Sequence, residues 1–245
     1  MRLGAFGAAA DVATIDSLAR TAAAGDAADR VRALLGQPRT LLLSVERLDH
    51  TRGAEQRLLA LAELLVNGRL DPRETAVVQV LPAIRQHVAG YRTLRRRVAG
   101  LIERINAALD LRVIHHIERS PSMAELVELY LAADVLAVTP LRDGGNLVAK
   151  EFVAARVDNG GALVLSEFAG AAAELGSAYL VDPFDRDALR DTIERAAMAA
   201  PAERRARMRQ LRAGLRRRGV RAGGRRLLTT FAGCANCAGC RPGSA

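Results

Sequence analysis

Apolar runs and helical stretches take turns along this chain, and few folds accept that order. The runs are "TLLLSV" (40–45), "TAVVQVL" (75–81), "LRVIHHIE" (111–118), "VLAVT" (135–139), "ALVLS" (162–166) and "AYLVDP" (178–183). Each is short and rich in Val, Leu and Ile, which suits a strand covered on both faces. Between them lie stretches with helical spacing. "GAEQRLLALAELLVNG" ends on a glycine. A longer one carries Val88, Tyr91, Leu94, Val98, Leu101, Ile105 and Leu109 on one stripe. "SPSMAELVELYLAAD", "NLVAKEFVAAR", the short "GAAAELG" and "DRDALRDTIERAAMAA" complete the alternation. Strand–helix alternation of this kind predicts a doubly wound α/β domain with a parallel sheet, Rossmann-like, whose ligands bind at the carboxyl ends of the strands. Residues 39–213 make up that domain in this reading. Residues 1–38 read as a helical lead-in, and 214–245 as a basic tail without firm structure.

Half of the 245 residues are hydrophobic, enough for one sizeable core. The net charge of +9 is unevenly placed. Residues 203–226 hold eleven Arg and one Glu, a balance of +10, so all the others sum to −1. That stretch has no aromatic residue for base stacking, and it reads as a solvated helix leading into a tail rather than a nucleic-acid surface. No apolar run reaches the ~18–20 residues that a bilayer span needs. The first residues, "MRLGAFGAAADVATID", are a poor match to a signal peptide, because Asp11 interrupts them. The expectation is a cytoplasmic protein without membrane or nucleic-acid partners. The cysteines, Cys234, Cys237 and Cys240, have neither a fourth ligand nor a nearby His, so no metal is expected. No cofactor motif is present either. His115 and His116 fall in one strand, on opposite faces, and read as packed residues. Of 36 basic residues, 35 are Arg, and Lys150 is the single lysine. One ammonium among so many guanidiniums points to a place where only a compact cation fits, unless Lys150 and Glu151 lie on a solvated helix face.

The richest stretch is "AVTPLRDGGNLVAKEFVAA", residues 137–155. A strand runs into a turn with Asp143, Gly144, Gly145 and Asn146, and then into a helix. The glycines let a ligand approach the backbone, and the helix start offers free N–H groups and a positive dipole end. Arg47 and Arg52 follow the first strand, and Arg85 follows the second. Such a set suits an anionic ligand. Glu151, two turns along, would reach other hydroxyl groups of the same molecule. The ordinary alternatives are a capped helix, with Asp143 as the cap, and surface arginines.

Four segments carry a family resemblance: "SVERLDHTRG", "RINAALD", "AADVLAVTPLRDGGNLVAKEFVAAR" and "GALVLSEFAGAAAELGSAYLVDPFD". In this order they resemble the trehalose-6-phosphate synthases, which are retaining glycosyltransferases of the GT-B fold. The resemblance runs from about residue 3 to about residue 212. It implies transfer of glucose from UDP-glucose to glucose 6-phosphate, giving α,α-trehalose 6-phosphate, without a metal. The departing phosphate would help to deprotonate the acceptor, and nearby cations would stabilise its charge. By the same resemblance Arg47, Arg52 and Asp143 would be catalytic. Arg47 and Arg52 would hold the diphosphate, and Asp143 the glucose hydroxyls. Gly144, Gly145, Asn146, Leu147 and Val148 would meet the sugar donor through their backbone. Glu151 would bind ribose, Pro121 would touch the sugar donor, and Arg85 would hold the acceptor phosphate.

Two positions depart from the family pattern. Arg52 stands where a lysine is usual, and Gly145 where a methionine is usual. The resemblance also covers only the second, donor-binding domain of a two-domain fold. The expectation is therefore a donor-binding half that works with a separate acceptor-domain polypeptide and is inactive alone. A nucleotide-sugar-binding module without catalysis, an inactive remnant, and a glucosylglycerol-phosphate-type synthase are the other readings. GDP or ADP could replace UDP.

Overall fold

The computed structural model describes residues 10–82 and 89–218. Six parallel strands form one sheet: β1 (Thr40–Val45), β2 (Thr75–Val80), β3 (Ile114–Ile117), β4 (Val135–Val138), β5 (Ala162–Ser166) and β6 (Tyr179–Val181). Their order is β3-β2-β1-β4-β5-β6. The chain first winds outward from β1 to β3, returns to the centre, and winds the other way from β4 to β6. The reversal leaves a crevice between the carboxyl ends of β1 and β4, and open α/β sheets bind their ligands in such a crevice.

The strands are apolar because both their faces are covered. Leu41 and Leu43 of β1 enter one core layer, and Leu42 enters the other. Each is 1% exposed, and burying such a side chain contributes about 1.5–3 kcal/mol. Helices α1 (Val12–Ala19), α2 (Ala22–Leu34), α5 (Met123–Ala132), α6 (Leu147–Ala155) and α8 (Pro201–Arg218) cover the first face. Helices α3 (Ala54–Val66), α4 (Ala89–Leu109) and α7 (Arg186–Met198) cover the second. Asp11, Thr21 and Asp185 cap α1, α2 and α7 through their side chains. At α5, Ser122 accepts from the Glu125 N–H while the Glu125 carboxylate accepts from the Ser122 N–H, a reciprocal cap.

Three details differ from the sequence-based expectations. The stretch read as a lead-in is part of the body: α1 packs on α6, α2 packs on α5, and Ile15 is buried. Helix α8 continues past residue 214 to Arg218, because Leu215 is buried against the core. "GAAAELG" forms only a 3-10 turn, Gly170–Ala173. The histidines of β3 do lie on opposite faces. His115 faces a cavity under α2 and α5, while His116 lies near Glu118. Burial holds both below the usual histidine range. The cysteines lie outside the described residues.

Candidate functional site

The crevice is built by three loops that bond to one another. After β1 come Glu46 and Arg47, then a short turn, His50–Arg52, and Gly53. Gly53 has φ +72°, and a Cβ there would stand 2.1 Å from the Thr139 carbonyl oxygen. Glycine is thus required where this loop crosses the end of β4. The carbonyl of Thr51 accepts from the N–H of Leu141 at 2.8 Å. On its other side, the 141–146 loop leans on the loop after β5. Gly170 N–H donates to the Asp143 carbonyl at 2.9 Å, and Ala171 N–H to the Gly145 carbonyl at 2.7 Å. A Cβ on Gly170 would come within 2.3 Å of the Gly144 oxygen. The loop is clamped from both sides.

At the centre the Arg52 guanidinium pairs with the Asp143 carboxylate across the crevice. Both side chains are mostly buried, 18% and 13% exposed. Asp143 also accepts from Asn146 Nδ2 at 3.0 Å. Asn146 adopts a left-handed backbone, φ +80°, and its Oδ1 caps α6 by accepting from the Ala149 N–H at 2.9 Å. The cap is therefore Asn146, not Asp143, and Asp143's carboxylate turns into the crevice toward Arg52. The first N–H groups of α6 open on the same place, with the positive end of its dipole. Leu147 is exposed there, and Val148 is half-buried. A Cβ on Gly144 would meet no atom within 4 Å. Nothing among the described residues asks for glycine at that position, in contrast with Gly53 and Gly170.

The other expected residues divide. Arg47 is exposed beside the crevice and makes no hydrogen bond or ion pair with a described residue. Glu151 is the fifth residue of α6, just over one turn in rather than two. It accepts from the Tyr130 hydroxyl at 3.1 Å. Burial raises the Glu151 carboxyl above the usual carboxylate range, and the Tyr130 bond partly offsets the rise. Pro121 stands apart, after edge strand β3, and lines an apolar cavity of about 280 Å³ with Val78, His115 and Leu129. Strand β2 separates β3 from β1. Arg85 lies outside the described residues. Lys150 is not on a solvated face: it is 3% exposed, and its Nζ donates to Glu174 Oε1 at 2.8 Å, bracing α6 against the 170–173 turn.

A layer beneath the crevice has no counterpart in the expected set. Arg57 of α3 is wholly buried, donates to Thr139 Oγ1 at 2.9 Å and to Gln79 Oε1 at 3.1 Å, and pairs with Glu46. Burial pushes the Glu46 carboxyl up, and Arg57 pulls it back. The network joins α3 to the ends of β1, β2 and β4. Its signal in the sequence was Gln79, a polar residue inside an apolar run, together with Arg57 on the apolar stripe of α3. Among the described residues, no group of His, Cys, Asp or Glu is placed to hold a metal ion, and no helix is long and apolar enough to cross a membrane.

Comparison with known proteins gives one answer. The model of glycosyltransferase family 20 matches residues 1–231. The chain is 44% identical over 199 residues to a trehalose-6-phosphate synthase of Mycolicibacterium gilvum, covering 80% of this chain and 40% of that protein. A solved α,α-trehalose-phosphate synthase (UDP-forming) from Burkholderia xenovorans, in complex with glucose-6-phosphate, superposes with a TM-score of 0.87 at 35% identity. The match covers 94% of this chain and 51% of that one. The E. coli enzyme bound with UDP-2-fluoro glucose gives 0.84 at 31% identity, over 91% of this chain and 50% of that one. The chain thus spans about half the length, or less, of the proteins it matches.

Proposed function

This chain belongs to glycosyltransferase family 20, and from that premise we propose that its residues form the sugar-donor half of a retaining glucosyltransferase. The reaction is transfer of glucose from UDP-glucose to glucose 6-phosphate, giving α,α-trehalose 6-phosphate. The observation that carries the reading is the Arg52–Asp143 pair at the switch point, flanked by the α6 N-terminus and the open space at Gly144. An anion and a neighbouring polyol would replace that one pair by two sets of bonds. The diphosphate takes the guanidinium, and the glucose hydroxyls take the carboxylate.

In this proposal Arg47 and Arg52 hold the diphosphate and stabilise the charge that grows on it as the glycosidic bond breaks. The leaving diphosphate oxygen takes the proton of the attacking hydroxyl on the same face, so configuration is retained. Asp143 fixes the glucose, residues 144–148 meet the donor through their backbone, Glu151 binds ribose, and Pro121 touches the donor. Arg85 holds the acceptor phosphate. The remaining acceptor groups belong to the half of the relatives that these 245 residues do not match. We place the reaction in the cytoplasm.

Calorimetric titration with UDP-glucose tests the reading. The expected result is saturable binding that an Arg47→Ala, Asp143→Ala double variant abolishes. Absence of binding by the folded chain, or equal binding by the variant, would overturn it.

A further inference from the structure

A second basic cavity lies at the opposite end of α6 from the crevice. Its volume is about 330 Å³, and its lining includes Arg20, Asn159, Arg209, Arg212 and Arg216. Three segments distant in sequence supply these groups: the end of α1, the loop between α6 and β5, and α8. That loop leads into the start of β5, so the cavity sits at the amino ends of the strands. Helix α6 is nine residues long, which puts the cavity roughly 14 Å from the α6 N-terminus.

Much of the charge there already has structural work. Arg212 is 7% exposed. It donates to the carbonyls of Val153 and Ala154 at 3.0 and 2.7 Å, and to Asp16 Oδ1 at 2.6 Å. Arg20 forks onto the same carboxylate at 2.6 and 3.3 Å. Arg216 lies 3.8 Å from it. Arg209 makes no ion pair or hydrogen bond with a described residue. Asp158, next to the lining residue Asn159, is held by Arg156. Three of the four lining guanidiniums therefore share the one Asp16 carboxylate, and Arg209 has no acidic partner among the described residues. The carboxyl ends of α1 and α6 add about half a negative charge each at most. A surplus of about two positive charges remains, facing a concave space. Exposed guanidinium forks placed this way match the oxygens of a phosphate dianion.

We propose that this cavity is a binding site for a phosphate group, free or as the monoester of a small metabolite, separate from the crevice. Arg209 and Arg216 supply the grip, and Arg212 with Asp16 holds the frame. The concavity favours a small anion over the open backbone of a nucleic acid. The site does not depend on the reaction assigned above.

The test uses the 245-residue chain with Arg47→Ala, Arg52→Ala and Arg85→Ala, so that the cations assigned to the crevice cannot hold either probe. Inorganic phosphate and glycerol 3-phosphate are each titrated by calorimetry at constant ionic strength. The expected result is one-to-one binding of at least one probe, and the tighter of the two identifies the source. Adding Arg209→Gln and Arg216→Gln is expected to weaken that binding by about tenfold or more, with the melting temperature unchanged because both side chains are exposed. Arg20→Gln, a milder change, is expected to give a smaller loss. The proposal is overturned if neither probe binds, if the Gln variants bind equally well, or if only a single-stranded oligonucleotide binds through these arginines.

Discussion

Gly144 and Gly170 sit against one another, yet they are glycine for different reasons. A Cβ on Gly170 would strike the Gly144 carbonyl, whereas a Cβ on Gly144 would enter open space. Gly170→Ala is therefore expected to cost stability and UDP-glucose binding together, and Gly144→Ala to cost binding alone. Thermal melts beside calorimetric titrations separate the two, and equal melting losses would defeat the distinction. Glu151 makes a second prediction. Its carboxyl is raised by burial, so the folded chain holds its proton to higher pH than an unfolded chain does. This group's contribution to stability is fully present below about pH 4.5, its unfolded value, and is lost as pH rises through the folded value. In the proposed role Glu151 accepts from the ribose hydroxyls in its ionised form, so affinity for UDP-glucose should fall on acidification before an ordinary glutamate would titrate. Glu151→Gln should remove that dependence; a variant that keeps the wild-type profile would count against it. Asp143 and Asn146 were legible as a pair from their turn and helix signals. The division of labour between them was not, because it depends on where Arg52 arrives from another loop.

Elements carry the Glu46–Arg57–Gln79–Thr139 network, which joins α3 to three strand ends. Removing one partner of a buried ion pair leaves the other uncompensated, at a cost of about 3–5 kcal/mol. Arg57→Met is expected to lose that much in denaturant unfolding, and Glu46→Leu added to it to recover part of the loss. Additive losses would mean that the pair is not coupled. The strands were readable because a sheet covered on both faces asks only for continuous apolar runs. The helices were readable from their stripes and caps. The network was not, since residues 46, 57, 79 and 139 share no spacing, and only the sheet order brings them together. The same holds for the clamp at Gly53 and Gly170, and for the arginines that α1 and α8 bring to one cavity. The place of α1 and α2 in the body was missed for a related reason. In α2 the small apolar residues Ala24, Ala27 and Ala28 form a weak stripe that only close packing on α5 makes meaningful.

At the scale of the whole chain, the proposed reading gives these 245 residues the groups for the sugar donor and, in Arg85, one group for the acceptor. The purified chain should take up UDP-glucose and form no trehalose 6-phosphate from it and glucose 6-phosphate. Steady turnover by these 245 residues would overturn that expectation. One feature at this scale concerns reactivity rather than binding. Lys150 is the sole lysine, and the fold seals its amine between α6 and Glu174. Every other cationic side chain is a guanidinium or an imidazole. Acylating reagents, aldehydes and enzymes that build isopeptide bonds thus find no lysine amine on the native surface. The rate at which Lys150 becomes labelled then measures how often α6 lifts away from the 170–173 turn, a local opening read out at a single atom.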